Sequence, residues 1–474
     1  MNKARTSSHN NGSIQQMLAI ALPMVVSQAC DTAMIFTGRV FLSRLEPELM
    51  NAAMGGGLTV FMMMSFFIGL TGYSSALVAQ YLGAGRKKEC AVVITQAALF
   101  CVLAYLPILA SRPLGHKMFE FMGISPEQLG PQNLYFDILL FAVIISLLRN
   151  VLSCFFSGIG RTRVVMVASF TSMIVNALLG YIFIFGKFGM PALGIRGAAY
   201  AAILGGLSGL LILITAYLKK KNRDEFSILD SFRFNRTVMS KLLRFGSPAG
   251  LEFFLNILAF NALVMIFHAH GLVTATAATI MFNWDMVSFV PLLGIEIAVT
   301  SMVGRFMGAG DPDSAHRSVM SGLKLGIVYT TIIFAFFIGI PQHLVEIFHP
   351  SVGSDVFREA LPLAIFMIRL ASLYVLVEAV LVVFIGALRG AGDTFWAMCI
   401  SVSLHWLTVI VLLVVFRIFN LSPQAAWAFM VGIFFLFSVP VYLRYRSGKW
   451  RAMKVVEDIS PTGITDGFHE PIDL

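Results

Sequence analysis

The sequence predicts an all-α polytopic membrane protein in which twelve transmembrane helices form two parallel six-helix repeats. Three observations support this fold. The 474 residues are 58% hydrophobic and only 12% charged, about half the charged fraction of a soluble domain. The apolar residues form runs of roughly 20 or more, the length that crosses a ~30 Å hydrocarbon layer as a helix. The third observation is an internal repeat.

The repeat relates the two halves of the chain by a shift of 225 residues, which becomes 232 later in the chain. Pro23 and Pro248 are 225 residues apart, and the same shift aligns V-A-Q-Y-L-G-A-G (Val78–Gly85) with V-G-R-F-M-G-A-G (Val303–Gly310). A shift of 232 then relates Gly158, Gly160 and Thr162 to Gly390, Gly392 and Thr394. Tandem copies of one membrane module are typical of transporters. Six spans per copy is an even number, so both copies enter the membrane from the same side and enclose a shared cavity.

The twelve predicted spans follow one another along the chain. They cover residues of about 15–39, 51–80, 89–111, 132–157, 164–185, 196–218, 245–270, 274–304, 316–341, 358–388, 395–416 and 424–443. A segment in lipid must satisfy its own backbone hydrogen bonds, either as a helix or within a closed barrel. These runs are too long and too continuously apolar for barrel strands, and we therefore predict helices.

The spans divide the chain into five parts. We expect a cytoplasmic tail at 1–14, an N-terminal bundle at 15–218, a cytoplasmic linker at 219–244, a C-terminal bundle at 245–446, and a disordered cytoplasmic tail at 447–474. The basic linker fits a short amphipathic helix at the membrane face and a solvated segment equally well. Pro and Gly recur in the tail, which favours disorder.

The distribution of Lys and Arg predicts the orientation. With the N-terminus in the cytoplasm, 23 of the 34 basic residues fall on inside segments and 8 on outside loops. This bias places both termini in the cytoplasm of a multi-pass protein of the plasma (inner) membrane. The formal net charge of +9 then reflects topology and contacts with lipid headgroups, and we expect no nucleic-acid partner.

Several functional classes are excluded by missing motifs. The sequence contains no H-E-x-x-H or G-x-S-x-G motif, and no Lys-Ser/Thr follows Gly55-Gly56-Gly57 to make a phosphate loop. We therefore expect neither an enzyme nor an ATP-driven transporter, and no cofactor. The five cysteines do not occur at metal or disulfide spacing. The expected partners are small-molecule substrates and membrane lipids, bound by a monomer.

Five motifs in order make the chain resemble a known transporter family. They are L-A-I-A-L-P (18–23), V-A-Q-Y-L-G-A-G-R (78–86), G-K-F-G-M-P-A-L-G-I-R-G-A-A (186–199), F-G-S-P-A-G-L (245–251) and A-L-R-G-A-G-D-T (387–394). Over about 15–445 the chain resembles the multidrug and toxic compound extrusion (MATE) family, in its bacterial NorM-like branch. The resemblance implies a V-shaped pair of bundles that exports organic, often cationic and aromatic, compounds in exchange for H⁺ or Na⁺.

Acidic residues inside the spans are the candidate ion-coupling sites. NorM-like proteins often carry an acid in span 1 where this chain has Gly38, and a Glu in span 7 where it has Asn256. Here Asp31 lies two turns before Gly38, and Glu252 lies one turn before Asn256. The 225-residue shift maps Asp31 onto Asn256. We predict that Asp31 couples ion movement to transport, with Glu252 or Asn256 as its partner. The alternative is a static ion pair with an arginine of span 4 or 10.

The remaining polar groups in the spans are assigned to a substrate cavity. Asp285 and Glu296 are eleven residues apart and so share one face of span 8. Together with Glu378 and Gln28 they are the predicted cavity residues, although buried ion pairs would explain the three acids equally well. Acids outnumber the bases Arg149 and Arg369 in the membrane, which favours a cationic substrate. Three prolines are the predicted hinges: Pro23, Pro248 and Pro291.

Two further functions stay open at this stage. One is a flippase or exporter of the same architecture that moves a lipid-linked or anionic substrate, which would need a basic cavity. The other is a polytopic membrane enzyme, which would need a catalytic constellation. No resident metal is expected, and Na⁺ enters only as one of the two candidate coupling ions.

Overall fold

Twelve long apolar helices follow one another in the order that the sequence predicts. The structure is a computed structural model that describes residues 11–45, 47–121, 126–349 and 355–456. Within these residues, twelve helices are long and apolar enough to cross a membrane: Ile14–Ser43, Leu49–Gly83, Lys87–Ala110, Gln128–Gly158, Thr162–Phe185, Ile195–Tyr217, Arg236–His268, Leu272–Gly308, Pro312–Gly339, Asp355–Ala391, Thr394–Arg417 and Pro423–Arg446. We number them spans 1 to 12. The predicted all-α polytopic fold is confirmed.

Shorter helices complete the fold. Span 2 is made of two helices, Pro47–Gly72 and Ser74–Gly83, interrupted at Tyr73. Three further helices are too short to span: Arg112–Phe121, Lys220–Glu225 and Pro341–Glu346. Single 3₁₀ turns form at Ile228–Ser231 and Lys449–Ala452.

Span 7 begins earlier than its apolar run suggests. The Asn235 side chain accepts a hydrogen bond of 3.0 Å from the backbone N–H of Val238, which caps a helix starting at Arg236. The first turns of this helix carry charges on one side and buried Val238 and Leu242 on the other. The connection between the bundles is therefore 219–235, shorter than the predicted 219–244.

The connection packs against the N-terminal bundle. Glu225 receives the Lys87 ammonium and the Arg161 guanidinium, each at 3.0 Å. The Gln96 side chain donates to the Arg233 carbonyl at 2.9 Å and accepts from the Asn235 N–H at 3.0 Å. We call the face of the molecule that carries this connection the linker side.

Glycines bring the two bundles into backbone contact, in pairs that follow the repeat. A Cβ on Gly83 would overlap the carbonyl oxygen of Arg305, and a Cβ on Gly308 would overlap that of Gln80. These two contacts are images of each other under the 225-residue shift. Glycine allows helices to approach this closely because it has no side chain. We call this contact between spans 2 and 8 the inter-bundle seam.

A second symmetric pair lies farther from the ends of spans 2 and 8. A Cβ on Gly69 would lie 2.8 Å from the Cα of Gly250, and a Cβ on Gly294 would lie 2.8 Å from the Cα of Val25. The contact between spans 2 and 7 is thus equivalent to the contact between spans 8 and 1. The sequence repeat is therefore also a repeat of tertiary contacts, as expected for two modules related by a pseudo-twofold axis.

Both ends of the described chain cross to the opposite bundle on the linker side. Near the N-terminus, the Gly12 carbonyl accepts from the Ser321 hydroxyl of span 9 at 2.6 Å. Near the C-terminus, Trp450 is buried, and Val455 and Val456 join the hydrophobic core of the N-terminal bundle. Residues 447–456 of the predicted disordered tail are therefore ordered, because they carry apolar side chains that the bundles bury. Residues 457–474 and 1–10 lie outside the described residues.

Candidate functional site: charged groups inside the bundles

Asp31 forms an ion pair with Arg149 inside the N-terminal bundle. Span 1 supplies Asp31, span 4 supplies Arg149, and the two side chains are directly hydrogen-bonded. Arg149 also donates to the Ser169 hydroxyl of span 5 at 2.9 Å, and that hydroxyl lies 2.8 Å from the Ser27 hydroxyl. The Asp31 side chain is 34% exposed and that of Arg149 is 17% exposed. The acid is thus neutralised within its own bundle.

The C-terminal bundle has an uncharged contact at the equivalent place. The Asn256 side-chain amide donates to the Ser401 hydroxyl at 2.8 Å. Asn256 is the 225-residue equivalent of Asp31, and Ser401 is the 232-residue equivalent of Ser169. Neither Asn256 nor Glu252 is bonded to Asp31 among the described residues. The partner of Asp31 is therefore the arginine of span 4, as in the alternative interpretation. The predicted partnership with Glu252 or Asn256 is not formed.

Glu252 belongs to a charged triad that joins spans 7, 8 and 10. The Arg389 guanidinium lies 3.0 Å from the Glu252 carboxylate and is hydrogen-bonded to the Glu296 carboxylate. Glu252 is 1% exposed and Glu296 is 9% exposed. Two carboxylates and one guanidinium leave the triad with one formal negative charge. One guanidinium thus serves two buried carboxylates, and Glu252 Oε2 and Arg389 Nε have no hydrogen-bond partner among the described residues.

Asp285 and Glu378 form a second acidic group, which we call the acid pair. The Tyr374 hydroxyl of span 10 donates to the Asp285 carboxylate of span 8, and Glu378 lies one turn after Tyr374. Asp285 and Glu378 are close enough to interact electrostatically. One carboxylate oxygen of Glu378, Oε2, is buried without a hydrogen-bond partner among the described residues. None of the ion pairs recorded in the described parts of the chain includes either acid.

The ring of Tyr374 is held in place from one side. Phe434 of span 12 stacks on it with ring centroids 5.3 Å apart. Tyr374 thus donates to Asp285 and precedes Glu378 by one turn on span 10, so the group combines a phenol and two carboxylates from two helices. Protons and hard cations such as Na⁺ bind to groups of this kind. No group of three or more His, Cys, Asp or Glu residues able to hold a metal ion occurs within the described residues.

The predicted substrate-cavity residues do not form one group. Asp285 and Glu378 lie together, but Glu296 is separated from Asp285 by about 16 Å along span 8 and belongs to the triad. Both acids lie in one continuous helix, and the distance along its axis puts them in different environments. Gln28 lies half-buried in span 1, and its backbone carbonyl accepts from the Thr32 hydroxyl at 3.0 Å.

Helices continue through all three predicted hinge prolines. Pro23, Pro248 and Pro291 lie inside spans 1, 7 and 8. Pro23 has no N–H to offer the Ala19 carbonyl, and the Thr162 hydroxyl reaches that carbonyl at 3.5 Å. A free carbonyl served by a neighbouring span is compatible with a hinge, and the hinge role remains a prediction.

The acids are distributed unevenly between the repeats. The C-terminal bundle carries four of them where the N-terminal bundle has uncharged residues, the equivalent pairs being Glu252 and Ser27, Asp285 and Val60, Glu296 and Thr71, and Glu378 and Ser146. Arg389 is the one base that neutralises any of these four among the described ion pairs. The C-terminal bundle is therefore the more acidic of the two.

Comparison with known proteins identifies the family. A MatE family model matches residues 23–182 and 248–415, two segments that begin 225 residues apart and together cover more than half of the chain. The chain belongs to the MatE family. The predicted family resemblance is thereby confirmed.

Relatives of this MatE chain are similar along most of its length. Proteins named "Probable multidrug resistance protein NorM" are 25% identical over 448 residues in Thermotoga maritima, covering 93% of this chain and 94% of the relative, and 26% identical over 433 residues in Bacillus subtilis, covering 89% and 92%. The Mesorhizobium japonicum protein of the same name is 27% identical over 402 residues, covering 83% and 85%.

Solved structures share the fold of this MatE chain. A MOP superfamily transporter from Pyrococcus furiosus, described as having a binding pocket of reverse polarity, superposes with a TM-score of 0.85 at 20% identity, covering 93% of this chain and 96% of that chain. An outward-facing multidrug resistance MATE family transporter gives 0.84 at 20% identity, with the same coverage.

Two members of these clusters escaped the sequence analysis. Arg389 follows the predicted span 358–388 and is therefore one of the 23 basic residues that the sequence analysis assigns to inside segments. Tyr374 gave no signal because tyrosines in spans are common packing residues. The sequence did offer one indication of Arg389. Neighbouring spans carry acids that have no arginine partner of their own, and such acids require a base from another span.

Proposed function

We propose that this MatE chain is a secondary active multidrug exporter that expels organic cations in exchange for H⁺ or Na⁺. It would work as a monomer in the plasma (inner) membrane, with the linker side and both termini in the cytoplasm. The acid pair carries the proposal. It is an intramembrane group of two carboxylates without a basic partner among the described residues, and such groups mark ion or substrate pathways.

The proposed exchange follows from the charge of the acid pair. Protons on Asp285 and Glu378 neutralise the site, and a Na⁺ ion lowers its charge from two negative to one, so a cationic substrate gains less there in either case. When the ion leaves, the carboxylates attract a cation. Occupancy by one excludes occupancy by the other, which is the requirement for antiport. The triad and the Asp31–Arg149 pair are largely neutralised by arginine and are less able to take part in this exchange.

Contacts between the bundles support one direction of opening. The symmetric glycine contacts of the inter-bundle seam lie near the ends of spans 2 and 8 on the linker side, and both chain ends reinforce that side. A cavity between bundles that meet there would open toward the opposite face. With the linker in the cytoplasm, this is an outward-facing arrangement, from which substrate would be released.

Transport by reconstituted protein tests the proposal. Proteoliposomes would be loaded with an aromatic cationic dye, and efflux would be followed after imposing a pH gradient or a Na⁺ gradient. We expect Glu378→Gln and Asp285→Asn each to slow gradient-driven efflux by about tenfold or more, in the range of typical coupling energies. Glu359→Gln is the matched control, because Glu359 lies exposed on the same span.

Three outcomes would contradict the proposal. Unchanged efflux by a well-expressed Glu378→Gln protein would remove the acid pair from coupling. Equal transport of an aromatic anion would contradict the preference for cations. Dye efflux that needs neither gradient would contradict antiport itself.

A further inference from the structure

A groove between the two bundles on the linker side has no role in the proposed exchange. It encloses about 730 Å³ and lies between spans 2, 7 and 11. Its lining includes Phe66, Arg236, Arg244, Pro248, Leu251 and Met398. Phe66 belongs to the N-terminal bundle, and the other five belong to the C-terminal bundle. We call this space the inter-bundle groove.

Positive charge gathers at the linker-side end of the groove. Arg236 and Arg244 are exposed, and neither takes part in an ion pair recorded for the described residues. The Arg244 guanidinium rests over the Phe245 ring, 5.5 Å from its centroid. By contrast, Lys87 and Arg161 on the same face are neutralised by Glu225. None of the described residues that line the groove has a carboxylate.

The rest of the groove is apolar and runs along span 7. From Arg244 to Leu251 the helix rises about 10 Å, which is about two thirds of one leaflet of a ~30 Å hydrocarbon layer. Phe66, Pro248 and Met398 form the apolar wall. A ligand that fits must therefore be anionic at one end and apolar over most of a leaflet's depth.

Two exposed aromatic side chains mark the level of the membrane surface beside the groove. Phe232 and Phe234 of the connection are 66% and 64% exposed, and Phe234 also lines the groove. Large apolar side chains next to arginines are typical of segments that lie at the boundary between headgroups and acyl chains. The arginines would then stand at headgroup level and the apolar wall at chain level.

We infer that the inter-bundle groove binds an anionic phospholipid from the leaflet on the linker side. Its phosphate pairs with Arg236 and Arg244, and an acyl chain lies along the apolar wall. A water-soluble phosphate would use only the mouth of the groove and leave the wall uncovered. Because Phe66 comes from the other bundle, the bound lipid bridges the bundles beside the close contact of Gly250 with the Phe66 backbone and holds them together.

Lipid binding to the purified full-length protein tests the inference. Binding of phosphatidylglycerol and of phosphatidylcholine would be measured by native mass spectrometry, with thermal stability as a second readout. We expect phosphatidylglycerol to bind and stabilise wild type more than phosphatidylcholine does. Arg236→Gln with Arg244→Gln should weaken phosphatidylglycerol binding about 30-fold, since two arginines lose their headgroup contact. Leu251→Trp, which fills the wall, should weaken it without changing the charge.

A double variant of equal charge change provides the control. Lys220→Gln with Arg233→Gln removes two exposed positive charges of the connection outside the groove and should leave binding within about twofold of wild type. If both double variants lost phosphatidylglycerol binding equally, net surface charge rather than a specific site would attract the lipid. That result would overturn the inference. So would unchanged binding in the Arg236→Gln, Arg244→Gln protein, or equal stabilisation by inorganic phosphate alone.

Discussion

Gly83 at the end of span 2 lies directly against the carbonyl oxygen of Arg305 in span 8, with no room for a side-chain carbon between them. The neighbouring atoms belong to a helix backbone and cannot rotate aside. We expect Gly83→Ala to push the bundles apart and to lower the free energy of unfolding by about 1–3 kcal/mol, the usual range for overpacking. Thermal unfolding of the purified protein in detergent measures this loss.

Two other glycines complete that test. Gly308→Ala should cause a similar loss, because Gly308 makes the equivalent contact with Gln80. Gly432→Ala in span 12 would point its methyl group into open space and should leave stability unchanged or raise it by up to about 1 kcal/mol. If all three variants were equally stable, the seam would not be a close contact.

The Asp31–Arg149 pair predicts what neutralising Asp31 does. Asp31→Asn leaves the Arg149 guanidinium without its carboxylate, and we expect lower stability and expression. The loss should not exceed about 3 kcal/mol, the low end for a broken buried pair, because the Asp31 side chain is 34% exposed. Adding Arg149→Gln should restore much of the stability.

The coupling role of Asp31 predicts the opposite pattern. In that case Asp31→Asn folds and inserts normally but loses gradient-driven efflux, and Arg149→Gln brings no rescue. Measuring expression, melting temperature and efflux on the same three proteins separates the two interpretations. The contact with Arg149 favours the ion pair.

Arg389 should be the most sensitive charged residue of the C-terminal bundle. Arg389→Gln leaves Glu252 and Glu296 buried and unpaired, and we expect a loss of about 3–5 kcal/mol. Arg389→Lys should recover only part of it, since an ammonium cannot reproduce the fork that serves both carboxylates. Arg417→Gln, at an exposed arginine that ends span 11, is the control. Adding Glu252→Gln to Arg389→Gln should recover part of the stability, since Glu296 stays unpaired, and the absence of any recovery would contradict the triad as described.

The Glu225 cluster on the linker side predicts a pH dependence. Burial disfavours the charged carboxylate, but the hydrogen bonds from Lys87 and Arg161 outweigh it and lower the pKa of Glu225. A group whose pKa is lowered by folding stabilises the fold above its unfolded pKa, near 4.3, and this contribution is lost as the pH falls through the folded value. Glu225→Gln should therefore be less stable than wild type near pH 7, and the difference should shrink below about pH 4.

A neighbouring residue serves as the control for that experiment. Asp224 has a side chain that is 58% exposed, and Asp224→Asn should cost less stability than Glu225→Gln at neutral pH. Unfolding curves at a series of pH values measure both differences. A difference for Glu225→Gln that grew toward acid pH would contradict the sign of the argument.

The fold could be predicted almost entirely from the sequence because its two determinants are local or repetitive. Apolar length sets where a helix crosses lipid, and the repeat shows that Gly83 and Gly308 are equivalent. The start of span 7 could not be predicted from apolar length, since the helix continues past the hydrocarbon layer with charges on one side. The order of Val455 and Val456 depends on a contact with the distant bundle, of which the short segment itself gives no indication.

The pairing of charges could be predicted only in part. Helical periodicity gives the face on which Asp31 or Glu296 lies, but it does not give the neighbouring span or the depth of the partner. An arginine of span 4 was a candidate partner for Asp31, whereas Arg389 was assigned to a loop because it follows the apolar run that ends at 388, although its side chain contacts Glu252 and Glu296. Which acids a long arginine side chain contacts depends on how three helices pack together, and the sequence of one helix does not show it.

The burial of Val455 and Val456 in the hydrophobic core of the N-terminal bundle lets the segment that follows span 12 resist separation of the bundles. If the bundles part on the linker side, these two side chains must leave the core that now covers them. Exposing a buried valine costs about 1.5–3 kcal/mol, so releasing both costs several times the thermal energy before any helix has moved. We therefore expect this segment to favour the state in which the bundles are closed on the linker side.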